Sequence, residues 1–454
     1  MKKTYIYLLC SMLGTFGMTS CEEQLDLTPY STIGENNFFE NEDEIEAAVV
    51  GTYSALQDLT NIAWTMEGVV DDNSSPGSEG SYGDLDKFTN DPSTSFMNDY
   101  WGLSYSVISR ANMVLANVDL IEDEAKRNAL KAEVLFLRSY AYHNLVQLFG
   151  NVPLVTNVIA FDDYSFFDNV AASDIYEQIK VDLLFATENL PSSYGGDAEG
   201  RATKWAAKGI YAKVLLSSGD KSGAMQQLKD IIDSGEFSLM DDYASIFSSE
   251  MNQEVIFSTR YDAGNGEHQT FSYTFSSKGV FGGVKVTSEF LNIHEDGDLR
   301  AAASMAEDNG KVIINKYNSV GSIEQSGVDF VILRYADVLL LYAELANQAT
   351  ALDPMAIQYV NDIRDRAGLA ALTFESQTQL DAAIALERRI ELAFENHRWF
   401  DLLRYGNAIE VMKEHLAAEG IDSPISAHNL LFPIPQVQIT LSRGQLVQNP
   451  GYTN

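Results

Sequence analysis

The sequence predicts a mainly all-α chain of paired helices carrying two long insertions of loop and short strand. Three observations lead there. Apolar residues recur at helical spacing through segment after segment between residues 43 and 406. Glycine, proline and short polar residues punctuate those segments at their ends. Two stretches, 60–95 and 236–330, abandon the helical period for glycine, serine and acidic residues or for strand-like alternation. At 45% hydrophobic residues the chain has enough apolar side chains for a full core.

The first helix is expected over 43–59, DEIEAAVVGTYSALQDL, whose early acids suit the positive end of a helix dipole. The next runs from about Phe96 to Val118. EAKRNALKAEVLFLRSYAYHNLVQLFG (124–150) continues to Gly150, and Pro153 follows as a stop signal. SDIYEQIKVDLLFATENLP (173–191) takes Ser173 as its N-cap and ends at Pro191. Residues 204–235 read as two helices joined at Gly219-Asp220, and 333–349 with 354–369 as another pair. LDAAIALERRIELAFENHRWFDLLRYG (380–406) reads as one long helix. In 204–235, Ala212, Leu215, Gly219, Ala224, Leu228 and Ile231 fall at tetratricopeptide-like offsets. Such hairpins stack because each alone leaves an apolar face uncovered. The insertion at 60–95 is rich in Gly, Ser, Asp and Asn, whereas 236–330 holds the alternating runs EVIFSTRY, HQTFSYTFS and KVIINKYN. Insertions of this length within a compact helical domain are usually functional or disordered.

The N-terminus reads separately. Lys2 and Lys3 precede an apolar run, YIYLLCSMLGTFGM, and then Thr19 and Ser20 directly before Cys21. This is the pattern of a secretory signal. Broken by Gly14 and Gly17, the run falls short of the roughly 20 residues that a membrane-spanning helix needs. The stretch resembles a bacterial lipoprotein signal, with Met18 where Leu is usual. The resemblance implies that 1–20 is removed, that Cys21 is lipidated, and that 21–40 is a polar tether. Two or more acyl chains anchor stably, at about 0.8 kcal/mol per buried methylene. The formal net charge of −35 disfavours nucleic acid as a partner.

Motifs for chemistry are sparse. Glu387, Glu391 and Glu395 recur every four residues, and a carboxylate pair is what glycoside hydrolysis requires. The sequence also offers local i,i+3 partners: Arg388 with Glu391, Arg398 with Asp401, and Asp401 with Arg404. Such pairing points to a structural helix. His143 and His397 lie within core-like helical motifs, and the other histidines have no second ligand at zinc spacing. DDNSSPGSEG and DAGNGEH miss the EF-hand pattern, which leaves a surface calcium ion as an open alternative. No P-loop or nucleophile elbow occurs. The expectation is therefore no catalytic residue, no cofactor and no metal.

Seven blocks in order, SRANMVLANV, AEVLFLRSYAYHNLVQLFGNVPLV, GRATKWAAKGIYAKVLLSSGD, LRYADVLLLYAELAN, VNDIRDRAGL, LERRIELAFENHRWFDLLR and LLFPIPQVQITLSRGQLVQNPGY, resemble the SusD/RagB family of Bacteroidetes-type outer-membrane lipoproteins. The departures are Asn396, where Gly is commoner, and LSRGQ, where Asn-Pro is often seen. EEQLD after Cys21 is similar to the acidic surface-export signal of such lipoproteins. The resemblance implies one SusD-like domain over 41–454, anchored in the outer membrane and facing the exterior. It also implies a SusC-like TonB-dependent transporter as partner, with this chain as a hinged lid that binds a nutrient, most often an oligosaccharide, without catalysis. Tethering both partners in one membrane raises their effective concentration.

Sugar binding calls for aromatic faces together with acids and amides. Trp101, Trp205 and Trp399 sit inside helical blocks, so Trp64, at the border of an insertion, is the tryptophan left for a ligand. Asp71, Asp72, Asn73 and Tyr82 follow it, and the second insertion offers Tyr261, His268, Phe271, Tyr273, Phe275 and Phe281. The candidate ligand residues are Trp64, Asp71, Asp72, Asn73, Tyr82, Tyr261, Tyr273 and Arg334. Arg334 is placed either to reach a ligand or to pair with Asp337 at i+3. Rival expectations are capture of a peptide or another non-sugar nutrient, a glycoside hydrolase, and an intracellular repeat scaffold.

Overall fold

A computed structural model describes residues 39–68, 71–75, 81–160, 163–279, 284–318, 320–422 and 424–453. Cys21 and Phe281 lie outside the described residues. The long helices are α1 (Glu42–Ala63), α2 (Ser95–Asn117), α3 (Glu124–Phe149), α4 (Ala172–Asn189), α5 (Lys204–Ser217), α6 (Lys221–Ser234), α7 (Tyr335–Ala349), α8 (Pro354–Arg366), α9 (Gln377–Glu391), α10 (Arg398–Tyr405) and α11 (Ala408–Ala418). From α1 to α6 each helix packs on the next; α7 then packs on α6, α8 and α9. This is the stacked-hairpin arrangement that the repeat offsets predicted.

Side-chain caps fix many of the starts. Asn41 accepts from Glu44 N at α1, Asp123 from Lys126 N at α3, and Asp220 from Gly223 N at α6. Gly150 ends α3 at φ 72°, and a Cβ there would meet Leu431 Cδ1 at 2.8 Å. Ser173 is not the cap of α4. The helix begins one residue earlier, where Asn151 Oδ1 accepts from Ala172 N at 2.9 Å, so the cap comes from a neighbouring loop.

The expected single helix over 380–406 is broken. α9 stops at Glu391 and α10 starts at Arg398, with Phe394 (φ 66°) and Asn396 (φ 63°) in left-handed conformation between them. Carbonyls freed at the break are taken by buried cations: Lys316 Nζ donates to Ala393 O at 2.7 Å, and Arg334 Nη2 to Glu391 O at 2.6 Å. The positive φ also accounts for position 396, since Gly takes that conformation at no steric cost and Asn tolerates it better than most residues.

The insertions form two small antiparallel sheets. β2 (Val255–Thr259), the EVIFSTRY run, pairs with β6 (Phe330–Arg334), and both are buried along their whole length. β6 takes Leu333 and Arg334, so α7 starts at Tyr335 rather than 333. The other sheet has the order β1 (Ser74–Ser75), β3 (Lys285–Val286), β5 (Lys311–Ile314), β4 (Met305–Asp308). β1 belongs to the first insertion and its neighbours to the second, with Ser74 opposite Val286. Thr287 Oγ1 adds a bond to Asp72 O at 3.1 Å. Two stretches about 200 residues apart in sequence thus make one module. HQTFSYTFS, read as a strand, instead makes a helical turn at Phe271–Phe275, with Phe271 and Phe275 turned into the core.

Candidate functional site

The regularly spaced acids of α9 and the following turn are held by buried cations. Arg334 Nε donates to Glu395 Oε2 at 2.7 Å, and its Nη1 reaches Glu254 Oε1 at 2.8 Å and Glu391 Oε1 at 2.5 Å. Lys316 Nζ lies 2.7 Å from Glu395 Oε1. Glu387 accepts from Arg300 on one oxygen and Arg364 on the other, each at 2.8 Å. The local pairing expected from sequence holds in part: Arg404 reaches Asp401 at 2.9 Å. Glu391 is served by Arg300, Arg334 and Arg366 rather than by Arg388. Arg388 instead binds Asp337 and Asp401, and Arg398 binds Asp72. Arg334 is thus paired with Glu254, Glu391 and Glu395 rather than with Asp337, and it is fully buried among those three carboxylates. Burial alone would raise Glu391, but Arg366, Arg334 and Arg300 more than offset it and hold its carboxyl well below the usual range.

The polar candidates of the first insertion are likewise engaged. Asp72 is 0% exposed; it sits 2.6 Å from Arg398 Nε and 2.8 Å from Arg389 Nη2. Burial pushes its pKa up, and the two guanidiniums pull it below the ordinary value. Asn73 Oδ1 accepts from Arg389 Nε at 2.8 Å. Asp71 turns inward and accepts from Asn73 N and Ser74 N; burial, then repulsion from Asp72, lifts its pKa to about 7. Asp86 is pushed to about 8 by burial and by Asp71. Asp72 and Asn73 fasten the insertion to α9, and Asp72 also fastens it to α10.

The aromatic candidates divide. Trp64 is 4% exposed and lies within the core, so it presents no face to solvent. It stacks on Tyr82 at 5.3 Å and meets Phe275 edge-on at 5.6 Å, while Tyr82 stacks on Phe96 at 4.4 Å. Tyr261 is buried too: its hydroxyl bonds Thr60 Oγ1 at 2.8 Å and Gln57 O at 2.7 Å, tying the second insertion to α1. Tyr82, Phe96 and Tyr273 are half-buried. The surface thus retains Tyr82 and Tyr273 of the sequence candidates and adds Phe96, which sequence reasoning assigned to a helix start. Its position at the very end of the first insertion was the available signal.

Two concavities also escaped the sequence. One, of about 510 Å³, lies between α3, α5, β6 and α10. The other, of about 330 Å³, runs between α2 and residues 153–159 and 166–167 and is lined by Trp101, Tyr105, Phe166 and Phe167. Among the described residues no cluster of three or more His, Cys, Asp or Glu is disposed to hold a metal ion.

Comparison with known proteins gives consistent relatives. The SusD family model matches residues 300–452, and a second, described as starch-binding and associating with outer membrane, matches residues 23–216. SusD-like protein P2 of Formosa agariphila is 26% identical over 522 aligned positions, covering 99% of each chain. Among solved structures, surface glycan-binding protein A from Bacteroides fluxus is 25% identical with a TM-score of 0.76, covering 91% of this chain and 100% of its own. A laminarin-binding SusD-like protein is also 25% identical, with a TM-score of 0.77 and the same coverage.

Proposed function

Because this chain belongs to the SusD/RagB family, we propose that it is a surface-exposed outer-membrane lipoprotein, anchored through Cys21, that binds a nutrient oligosaccharide. It delivers that glycan as a lid to a SusC-like TonB-dependent transporter. The observation that carries the reading is the joined insertion module, which keeps the half-buried rings of Tyr82, Phe96 and Tyr273 while its acids and amides are bound inward. Aromatic rings supply the apolar faces against which sugar C–H groups pack. Trp64 supports that surface by stacking on Tyr82, while Asp71, Asp72, Asn73, Tyr261 and Arg334 are buried. The relatives named for glycan and laminarin binding favour a sugar over a peptide.

The lid needs no chemistry of its own. Glu387, Glu391 and Glu395 each face buried cations, which leaves no carboxylate among them poised as a general acid. Calorimetry against a glycan panel that includes laminarin oligosaccharides is expected to find a ligand. Tyr273→Ala should weaken its binding by about 1–3 kcal/mol, the scale of a lost aromatic contact. The bound glycan should be recovered intact. Unchanged affinity in Tyr273→Ala would move the site off the insertion module, and steady product release that vanishes in Glu387→Gln would make the protein a hydrolase. Mass spectrometry of native protein should find Cys21 acylated at the N-terminus; an unmodified sulfur there would remove the anchor.

A further inference from the structure

We infer that the cavity of about 510 Å³ is a second binding site, for a neutral polyhydroxylated molecule of monosaccharide size that enters past Ser217. Its volume lies within the range of about 300–1,000 Å³ found for small-ligand sites. Tyr140, Tyr176, Phe330 and Phe400 give the walls apolar rings, and Ser217, on its rim, is exposed. Neither Tyr82, Phe96 nor Tyr273 lines it, so the site is separate from the surface proposed above.

Two features specify the ligand. The first is His143, which is 4% exposed, lines the cavity and has an Nδ1 with no hydrogen-bond partner. An orphaned buried polar atom of this kind calls for a partner. Burial, and secondarily Lys213, lower its pKa to about 3, so the ring is neutral at physiological pH. A neutral imidazole offers one N–H and one lone pair, and a hydroxyl can answer either. The second feature is charge balance. Lys213 lies 2.7 Å from Asp337, Arg388 2.8 Å from Asp337, and Arg404 2.9 Å from Asp401, while Glu395 is held by Arg334 and Lys316. Glu67 is satisfied by neutral donors: Tyr100 Oη, Asn144 Nδ2 and Asn396 Nδ2. An ionic ligand would have to compete with one of these ion pairs or with the donors that already serve Glu67, whereas a neutral polyol competes with none of them.

The test uses D-glucose as probe and the full chain labelled with ¹³Cε1-histidine, the His143 resonance being assigned from its loss in His143→Phe. Glucose is expected to shift that resonance saturably in the millimolar range, and Ser217→Trp, which plugs the mouth, should weaken the response by about tenfold or more. A linear hexasaccharide is too long for the cavity and should leave the resonance in place. Tyr273→Ala should leave the glucose response intact whatever it does to glycan binding, so failure of either site is read independently of the other. A His143 resonance that glucose does not move, that drifts without saturating, or that moves equally in Ser217→Trp would overturn the assignment. So would one that follows the hexasaccharide as it follows glucose.

Discussion

Arg334→Ala is expected to destabilise the fold by about 3–5 kcal/mol, the scale observed when one member of a buried ion pair is deleted. The guanidinium serves Glu254, Glu391 and Glu395 together and also donates to Glu391 O. Removing it leaves three carboxylates in the interior with part of their compensation gone, and desolvated charge rather than lost attraction sets the penalty. Arg300, Arg366 and Lys316 still reach all three acids, which limits the loss without replacing the shared centre. Guanidinium denaturation gives the comparison, with Arg260→Ala as the control. Arg260 also pairs with a glutamate, Glu250, but both side chains are substantially exposed, so its loss should cost no more than about 1 kcal/mol. If the two variants shift the midpoint equally, Arg334 does not hold the network together.

That network marks where the sequence was readable and where it was not. The helical pairs, the join at Gly219-Asp220 and the stop at Gly150 were legible because they rest on local signals, namely apolar spacing, an Asp cap and a glycine with φ above zero. The break after Glu391 was hidden. Its sequence keeps the helical period, and the cations that take its carbonyls, Lys316 of the second insertion and Arg334 at the end of β6, are distant in sequence. The charge pairs failed for the same reason. An i,i+3 rule finds Asp401 with Arg404, but Asp72 meets Arg398 across 326 positions of chain and Glu254 meets Arg334 across 80. The acids and amides near Trp64 had the right composition for a sugar site, yet composition cannot distinguish a carboxylate facing solvent from one facing Arg389.

The consequence for function is mechanical. Asp72 ties the first insertion to α9 and α10, Lys316 ties the second to the turn between those helices, and β1 pairs with β3 to join the two. A ligand surface carried on loops gains precision when its supports are locked by packing and hydrogen bonds. Of the residues expected to contact sugar, Trp64, Asp71, Asp72, Asn73, Tyr261 and Arg334 are buried, whereas Tyr82 and Tyr273 are half-buried.

Three buried carboxyls should contribute stability that is complete near pH 4 and lost as the pH rises toward 8; below about 6.5 His143 and His397 oppose it, because burial lowers them to about 3 and about 4 and their contribution is lost as the pH falls. Burial lifts Glu67 and Asp71 to about 7 and Asp86 to about 8. Each binds its proton more tightly in the folded chain than in the unfolded one, where carboxyls titrate near about 4. Between those values the native state holds the extra protons, so stability declines with rising pH and levels off above about 8. Asp72, Asp401 and Glu395 act in the opposite direction: cationic partners outweigh burial and depress their pKa values, Asp401 to about 2. Their stabilisation is complete above about 4 and is lost as the pH falls through the depressed values, which bounds the profile on the acid side. Asp86 Oδ1 has no hydrogen-bond partner, so an amide can replace the neutral acid there without breaking a bond. Asp86→Asn should accordingly flatten the alkaline limb while leaving the acid limb unchanged. Thermal unfolding from pH 3 to 9 separates the cases, because a midpoint that climbs between about pH 6.5 and 8, where the histidine contributions are complete, or an Asp86→Asn chain that keeps the wild-type slope, would show that these carboxyls are ionised in the folded protein.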